Sequence, residues 1–322
     1  MNVALVGSNF GLRCYLPVIQ KIKSLNLKII CSRNIKSLNK KKLENLLYES
    51  NWKNIFQANI DIIILAVPPI TQEKILLYNL KFKKKIIFEK PISSNFSKSK
   101  HIVNQIKKKK IKSQINLTYL NHMLFKKVKD IIDKKDLGEV LNYSVKWSFV
   151  SQDLNKKIKS WKTNEKYGGG IKNIFLTHVI SYCEYFFGSN KLVNYDLKTT
   201  NFKSIDYKKF ISCTLINSSL IKGKIVIFTK NKGSQNHHIK INFTNGFLTL
   251  NTNSKDWTKN FILKVNNKKK GKIKLIRSKK LVKFSDGRCN QIYIMLKNFL
   301  KIQNYNNINL CLKAEKINNN LK

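Results

Sequence analysis

A lysine lies between an apolar run and a proline near residue 90 of this 322-residue chain. Residues 86–88, Ile-Ile-Phe, have the composition of a buried strand, and Glu-Lys-Pro follows at 89–91. Because a residue before proline is pushed into extended backbone, the sequence predicts that Lys90 is held at the mouth of the strand. There its ammonium can sit beside a bound cofactor and a substrate oxygen. The alternative is one more solvent-exposed lysine.

The segment GSNFGL at residues 7–12 has the residue types of a phosphate-binding turn. It follows the strand-like run VALVG, where a dinucleotide-binding chain carries G-x-G-x-x-G. Glycines there let the backbone approach a pyrophosphate, and the helix N-terminus favours its charge. Here Asn9 and Leu12 replace the second and third glycines, although asparagine tolerates left-handed backbone better than most residues. The predicted cofactor contacts are Gly7, Asn9, Phe10 and Gly11, with a purely structural turn as the alternative.

The ends of the following strands add to this prediction. After LKII an NAD-binding chain would place an acid that holds the ribose hydroxyls, whereas this chain continues with Cys31, Ser32 and Arg33. A hydroxyl and a guanidinium suit a 2′-phosphate, so NADP is favoured over NAD; the alternative is that Arg33 is a surface residue. The strand ends with the sequences AVPP and EKP supply the remaining predicted cofactor contacts: Val67, Pro68, Glu89 and Lys90.

Alternating strand and helix patterns position these residues. In the first third of the chain, strands are predicted at 3–7, 27–32, 61–69 and 84–91, and helices at 16–25, 36–50 and 71–81. Such alternation, with continuous apolar strands, indicates a parallel sheet covered on both faces. After a helix near 123–135, segments such as VLNYSVKWSFV and GKIVIFTK alternate as in an antiparallel sheet. A domain boundary is therefore predicted near residue 120.

The composition narrows the class of partner. The formal charge is +46, with 63 Lys and Arg against 17 acids, yet arginine occurs only at 13, 33, 277 and 288. Lysine, asparagine and isoleucine are spread along the whole chain, as A/T-rich codons would give, and nucleic-acid readers favour arginine. No specific nucleic-acid partner is predicted. Six cysteines without metal-ligand spacing and the absence of a long apolar stretch predict a soluble, cytoplasmic protein with no metal site or membrane span.

Taken as a set, these motifs resemble the Gfo/Idh/MocA oxidoreductases, the superfamily of glucose–fructose oxidoreductase and inositol dehydrogenase. The similar segments include VGSNFGLRCYLPVI, DIIILAVPP, IIFEKPIS, DLGEVLNYSVKW, SWKTNEKYGGGIKNIFLTHVISYCEYFFG and NGFLTL. The resemblance implies a Rossmann NAD(P)-binding domain at 1–120. At 121–322 it implies an α+β domain, built on an open, mainly antiparallel sheet, that binds substrate and another subunit. The implied activity is hydride transfer between nicotinamide and a hydroxyl or carbonyl of a sugar, sugar derivative or cyclitol.

The resemblance assigns proton exchange with the substrate to His178, assisted by the charge of Lys90. Three glycines at 168–170 open a predicted helix that carries Ile174 and His178 on one face. Imidazole suits this role because its ordinary pKa lies near neutrality; the alternative is a hydrogen-bonded histidine of the core. Relatives commonly carry Asp at the position of Ile174 and often at that of Ser181, so this chain departs from the pattern.

These departures leave alternatives open. Asn173 is a candidate to orient the imidazole in place of the missing acid, and Lys162 is a candidate to meet an anionic substrate or a cofactor phosphate. A cofactor-binding sensor or scaffold without turnover is a second hypothesis, and an anion-binding module without dinucleotide is a third. Because the open sheet of the family often packs against another subunit, a homodimer or homotetramer is expected.

Overall fold

The computed structural model divides the chain into two compact units. One comprises Met1–Leu117 and Phe284–Leu312, and the other comprises Thr118–Lys283 and Lys313–Lys322. Residues 284–312, which a single boundary near 120 would give to the second domain, thus belong to the first unit. The structure describes residues 1–33, 46–150, 153, 158, 160–202, 205–230, 233–278, 282, 284–302 and 306–321.

A parallel sheet forms the centre of the first unit. Its strands are β1 (Asn2–Val6), β2 (Asn26–Cys31), β3 (Leu47–Glu49), β4 (Ile62–Leu65), β5 (Lys85–Phe88) and β6 (Ser113–Ile115). They are ordered β3-β2-β1-β4-β5-β6, and every neighbouring pair is parallel. All four residues of β4 are buried, as expected of a strand covered on both faces. The predicted Rossmann-type parallel sheet is confirmed.

Helices α1 (Leu16–Ile19), α2 (Pro69–Phe82) and α3 (Phe96–Lys108) follow strands of this sheet. The predicted helix 16–25 is too long, because the chain leaves α1 in a turn, with Ile22 N–H donating to the Ile19 carbonyl (3.1 Å), to enter β2. The predicted helix 36–50 is wrong at its end. Residues 47–49 form β3, which pairs with β2, so sheet pairing overrides the local helical pattern. Residues 36–45 lie outside the described residues.

An eight-stranded sheet forms the second unit. Its strands are β7 (Val140–Val150), β8 (Asn190–Phe202), β9 (Ile205–Asn217), β10 (Lys222–Lys230), β11 (Asn236–Phe243), β12 (Gly246–Thr252), β13 (Ile262–Asn267) and β14 (Lys272–Arg277). The order is β14-β13-β12-β11-β7-β10-β9-β8. β7 and β10 pair in parallel, and the other neighbours pair antiparallel. The predicted mainly antiparallel sheet is confirmed.

Helices α4 (Met123–Asp133) and α5 (Thr177–Phe187) belong to the second unit. Aromatic rings form much of its core: Trp147 of β7 stacks on His237 of β11 with ring centroids 4.4 Å apart and planes at 3°. His237 and Tyr182 of α5 are both buried, and the Tyr182 hydroxyl lies 3.0 Å from His237 Nε2. This ring packing ties α5 to the sheet.

The C-terminal segment contributes α6 (Arg288–Lys301) and α7 (Asn306–Asn319). Helix α6 returns to the first unit, where its apolar side chains pack with β1 and α1. The packed residues of α6 are Cys289, Ile292, Met295, Leu296 and Phe299. Arg288, the first residue of α6, is therefore part of the unit that carries the glycine turn.

Candidate functional site

The glycine turn after β1 is closely packed against the end of β4. Gly7 has a φ of +116°, and a Cβ built on it would lie 2.2 Å from the Ala66 carbonyl oxygen. Its N–H donates to the Cys31 carbonyl at the end of β2 (2.9 Å). Glycine is therefore required here for both backbone angle and space.

Beyond Gly7 the turn enters a π-helical segment, Gly11–Tyr15, that continues into α1. Asn9 is exposed, and its carbonyl accepts the Arg13 N–H at 3.2 Å. Phe10 is half-buried, with its ring edge-on to Tyr15 at 5.8 Å. The Phe10 ring thus forms part of the surface of this turn.

The end of β2 lies against the same turn. Ser32 is buried, and its hydroxyl donates to the Ser8 hydroxyl at 2.9 Å. Its N–H donates to the Glu49 carbonyl at the end of β3 (2.9 Å). Arg33 is exposed. The structure therefore fixes Ser32 beside the glycine turn and leaves the Arg33 side chain at the surface next to it.

A glutamine on α2 holds the Glu-Lys-Pro turn. Gln72 is buried, and its side-chain amide donates to the carbonyls of Glu89 (2.6 Å), Pro91 (3.0 Å) and Ile92 (3.1 Å). Its carbonyl oxygen accepts the Glu89 N–H at 2.9 Å. The Lys90–Pro91 peptide bond within this segment is cis. One side chain thus binds the backbone on both sides of Lys90, and we call this arrangement the Gln72 clamp.

Glu89 faces inward at the base of this turn. Its Oε1 accepts hydrogen bonds from the Tyr15 hydroxyl (2.6 Å) and the Asn116 amide (2.9 Å). Burial raises the pKa of Glu89, while the two hydrogen bonds and the charges of Lys90 and Arg288 oppose that rise. The half-buried acid is therefore a structural anchor and an electrostatic neighbour of Lys90.

Val67 and Pro68, the predicted contacts at the end of β4, are half-buried. The Pro68 carbonyl accepts the Gln72 N–H at 2.9 Å, so this strand end also starts the helix that carries the clamp. Parallel pairing brings the ends of β1, β2, β4 and β5 to one edge of the sheet. The predicted cofactor residues of the first unit are thus brought together at the edge where α/β sheets bind ligands.

In the second unit, the three glycines are required by their surroundings. Gly168 and Gly170 have φ values of +80° and +82°. A Cβ on Gly169 would lie 2.0 Å from the Trp161 carbonyl oxygen, and one on Gly170 would lie 2.6 Å from Glu165 Cγ. The backbone therefore folds tightly onto residues 161–165 before it enters the π-helical segment Lys172–Leu176 and then α5.

Asn318 supports this π-helical segment. Its side-chain amide donates to the Lys172 carbonyl (3.0 Å) and to the Thr177 hydroxyl (2.8 Å). The Lys172 ammonium in turn donates to the Leu321 carbonyl at 3.0 Å. A π-helical turn is an irregularity often found at functional sites, and here it immediately precedes the turn of α5 that carries His178.

His178 is half-buried on the first turn of α5. Its ring meets that of Tyr119 edge to face, with centroids 5.4 Å apart and planes at 86°. The Asn173 amide donates to the Gly169 carbonyl (3.0 Å), and the Ser181 hydroxyl donates to the Thr177 carbonyl (2.7 Å). Both polar groups thus bond the backbone of their own segment, and Tyr119 is a neighbour of the imidazole that the sequence did not indicate.

Lys162 lies in the short 3₁₀ turn Trp161–Thr163. Its ammonium pairs with Asp153 at 3.7 Å, and about half of its side chain is exposed. This pairing is weak in energy because solvent screens it. The residue remains accessible to an anion, as its predicted role requires.

The predictions of no metal site and no membrane span concern the side chains and helices of the described residues. Among them, no group of three or more His, Cys, Asp or Glu side chains is arranged to hold a metal ion. No helix in the described ranges combines the length and apolar character needed to cross a bilayer.

Two family models match the chain. Residues 1–117 match the oxidoreductase family model with an NAD-binding Rossmann fold, and residues 125–249 match the Gfo/Idh/MocA C-terminal domain. The chain belongs to the Gfo/Idh/MocA oxidoreductase family. The predicted membership is confirmed, and with it the assignment of the first unit as a nucleotide-binding Rossmann domain.

Two curated relatives of this family member match part of its length. An uncharacterised oxidoreductase of Schizosaccharomyces pombe is 25% identical over 149 residues, which are 45% of this chain and 39% of the relative. Levoglucosan dehydrogenase of Pseudarthrobacter phenanthrenivorans is 27% identical over 156 residues, which are 47% of this chain and 39% of the relative. Each match thus spans well under half of the relative's own length.

Solved structures share the fold over nearly the whole chain. KijD10, a 3-ketoreductase from Actinomadura kijaniata crystallised with NADP and TDP-benzene, has a TM-score of 0.80 at 13% identity, covering 98% of this chain and 95% of KijD10. An oxidoreductase from Agrobacterium radiobacter, crystallised with NAD+, L-tartaric acid and magnesium, has a TM-score of 0.82 at 14% identity, covering 99% and 94%. At these identities the likeness concerns the fold.

Proposed function

We propose that this family member is an NADP- or NAD-dependent oxidoreductase that interconverts a hydroxyl and a carbonyl group on a sugar, sugar derivative or cyclitol. The observation that carries the proposal is the pairing of a glycine-dependent turn with a clamped lysine at one edge of a parallel sheet. The space above Gly7 admits no Cβ, and the Gln72 clamp fixes the backbone around Lys90. A nicotinamide dinucleotide, when bound, supplies the hydride donor or acceptor.

The residues of the first unit fit such a cofactor. Gly7 lies where the backbone of a dinucleotide-binding turn approaches phosphate, and Ser32 presents a hydroxyl fixed beside it. Lys90 would lie beside the nicotinamide end, where its positive charge stabilises negative charge on a substrate oxygen. The Gln72 clamp holds the backbone on both sides of Lys90, so the point from which the lysine side chain extends is fixed.

His178 is proposed as the group that exchanges a proton with the substrate oxygen. An imidazole suits this work near neutral pH. The edge-to-face contact with Tyr119 limits rotation of the ring, which supports a defined orientation despite the hydrocarbon side chain at position 174. Asn173 and Lys162 remain proposed substrate contacts.

The roles of Lys90 and His178 have a direct test. Lys90→Ala and His178→Ala should each lower turnover by about a hundredfold or more, with the melting temperature close to wild type. NADPH binding should also stay close to wild type in His178→Ala. Lys100→Ala, which removes an exposed lysine of α3, is the control and should retain full turnover. Retained activity in either site variant would refute its proposed role.

A preference for NADP is proposed from the end of β2. Ser32 and Arg33 stand where an acid would bind the ribose hydroxyls of NAD, and the exposed guanidinium can pair with a 2′-phosphate. Arg33→Gln should weaken NADPH binding about tenfold, as the loss of one charged hydrogen bond predicts, and leave NADH binding unchanged. Lys28→Gln, at an exposed position of β2, is the matched control. An equal loss of affinity for NADPH and NADH in Arg33→Gln would contradict the proposed preference for NADP.

The substrate class is tested by a panel. Levoglucosan dehydrogenase and a 3-ketoreductase crystallised with TDP-benzene are among the relatives and neighbours, so the panel should contain anhydrosugars, nucleotide-linked sugars, free sugars and cyclitols. NADPH formation or consumption is followed by absorbance. Turnover of a member of these classes supports the proposal, and tight NADPH binding without turnover of any of them contradicts it.

The second candidate function, a cofactor-binding sensor without turnover, is favoured by one observation. Relatives of the family commonly carry Asp at the position of Ile174, and a hydrocarbon side chain there cannot supply the negative charge that an acid would place beside the imidazole. The NADPH-binding and turnover measurements above separate the two functions. A sensor should bind NADPH and change a partner's binding rather than any sugar's oxidation state.

We also propose that the chain forms a homodimer or homotetramer through the outer face of its eight-stranded sheet. Apolar side chains that alternate with buried ones are half-exposed on that face: Val226, Phe228, Phe247 and Ile262. Lysines cover two of the rings, with Lys146 over Phe228 (6.0 Å) and Lys240 over Phe247 (5.4 Å). Light scattering at micromolar concentration should give a dimer or larger, and Phe247→Lys should shift it to the monomer. A monomeric wild type would refute this proposal.

A further inference from the structure

The guanidinium of Arg288 lies over the glycine turn. Its central carbon is 5.0 Å from the centroid of the Phe10 ring, and about a third of the side chain is exposed. Arg288 begins α6, which is distant in sequence from the turn but belongs to the same unit. A cation held on a ring face in this way gains stabilisation without losing its charge.

Asp286 fixes the guanidinium in this position. Its two carboxylate oxygens accept from Nε (2.8 Å) and Nη2 (2.5 Å) of Arg288. These bonds lower the pKa of Asp286 against the effect of burial, so the pair stays ionised at neutral pH. Arg13 also approaches Asp286 at 3.5 Å, which gives two cations for one acid.

The same guanidinium influences the neighbouring strand end. The charge of Arg288 favours the ionised form of Glu89, as does the charge of Lys90. Arg288 therefore stands within electrostatic range of both the glycine turn after β1 and the end of β5. This turn is also the one in which Asn9 replaces the second glycine, so backbone contact with a phosphate is reduced.

We propose that Arg288 is a phosphate-binding residue that supplements the glycine turn and recognises the pyrophosphate of the cofactor. The inference rests on the proposed use of a dinucleotide. Arginine suits this role because its planar fork binds phosphate oxygens in two places at once. Asp286 and Phe10 orient it before the ligand arrives, which reduces the entropy lost on binding.

A purely structural role for Arg288, as a contact that fastens α6 to Phe10, makes a different prediction. In that case substitution of Arg288 would loosen the turn and lower the affinity for all ligands of the first unit alike. Loss of a phosphate contact would weaken the binding of ligands that carry the phosphate and leave the binding of the others nearly unchanged. Adenosine and ADP differ in the diphosphate alone, so they distinguish the two roles without any measurement of activity.

The experiment is isothermal titration of the full-length protein with NADPH, ADP and adenosine. Arg288→Gln should lower the affinity for ADP and NADPH at least tenfold and the affinity for adenosine less than twofold. The affinity of Arg288→Lys for ADP should lie between those of wild type and Arg288→Gln. Arg13→Gln, which removes the more exposed partner of Asp286, is the matched control and should change ADP affinity less than threefold. Thermal melting checks that each variant is folded.

Unchanged ADP affinity in Arg288→Gln would overturn the inference, as would an equal loss for adenosine and ADP. If Arg288→Gln does not fold, Arg288→Lys decides: wild-type affinity for ADP in that variant, which lacks the bidentate fork, would overturn the inference. Failure of wild type to bind NADPH would instead overturn the dinucleotide proposal on which the inference rests. If wild type binds NADPH and Arg288→Gln binds NADPH and ADP as tightly as wild type, the dinucleotide proposal stands and only the role of Arg288 is removed.

Discussion

Removal of the Gln72 side chain should destabilise the first unit and loosen the turn that carries Lys90. Gln72→Ala removes two N–H donors, which the carbonyls of Glu89, Pro91 and Ile92 share, and the oxygen that accepts the Glu89 N–H. At about 1 kcal/mol for each of these three groups, the expected loss in free energy of unfolding is about 3 kcal/mol. The site is buried, so water cannot fully replace these bonds.

Asn79 provides the matched control on the same helix. It is also buried, and it makes two hydrogen bonds, from its amide to the Lys84 carbonyl (2.9 Å) and from the Lys84 N–H to its oxygen (3.0 Å). Asn79→Ala should therefore cost about 2 kcal/mol. It should leave NADPH affinity and turnover unchanged, because the Lys84 segment lies before β5 rather than after it.

The assay is urea unfolding followed by circular dichroism, combined with NADPH titration and turnover of the folded variants. Gln72→Ala should lose stability and, in addition, at least tenfold in turnover, whereas Asn79→Ala should lose stability alone. The clamp would be refuted if Gln72→Ala were within 1 kcal/mol of wild type, or if both variants lost turnover equally.

Gly7→Ala should unfold the turn or lower the free energy of unfolding by at least about 3 kcal/mol, because φ is +116° and the added methyl would lie 2.2 Å from a carbonyl oxygen. Urea unfolding and NADPH titration check this, and wild-type stability and affinity would contradict it. Burial lowers the pKa of His237 to about 3 and that of His122 to about 4. Below pH 6.5 the unfolded chain therefore binds more protons than the folded one, and the free energy of unfolding decreases as the pH decreases. The slope should be about 1.4 kcal/mol per pH unit for each histidine, and His237→Gln should flatten it; an unchanged slope across pH 4.5–7 would contradict the assignment. Ile174→Asp should raise the pKa of the His178 imidazole, visible as an upward shift in the pH profile of kcat/KM; an unshifted profile would exclude His178 as the titrating group.

Local sequence signals predicted the parts of the site that depend on single segments. Gly7 and the Glu-Lys-Pro turn follow apolar runs that do form parallel strands, so their position at one sheet edge follows from topology. The three glycines at 168–170 predicted the start of a helix, and in the structure they lead into the π-helical segment Lys172–Leu176 and then α5. Such features are visible because each needs a particular residue type at a particular backbone angle.

The supporting residues could not be predicted, because their partners are distant in sequence. Gln72 binds backbone 17 residues and more away, and Asn318 binds a carbonyl 146 residues away. A buried amide has no sequence signature that states which backbone it will satisfy. Tyr119 was likewise one aromatic among many until the fold set its ring against His178.

Strand assignment failed where pairing rather than pattern decides. Residues 47–49 carry a helical pattern but form β3 because β2 offers an unpaired edge. β6 is three residues long, too short for a periodicity to be recognised. The π-helical segments Gly11–Tyr15 and Lys172–Leu176 look like ordinary helix in sequence, since their extra residue per turn depends on contacts made elsewhere.

We propose that a nicotinamide dinucleotide binds at the turn after β1 and that Lys90 lies beside its nicotinamide end. The most direct measurement is a crystal structure of the protein with NADPH and a substrate found in the panel. We expect the pyrophosphate at the turn that contains Gly7 and Lys90 Nζ within about 2.6–3.2 Å of a substrate oxygen. A dinucleotide bound away from that turn, or a Lys90 ammonium that faces away from the substrate, would contradict the proposal.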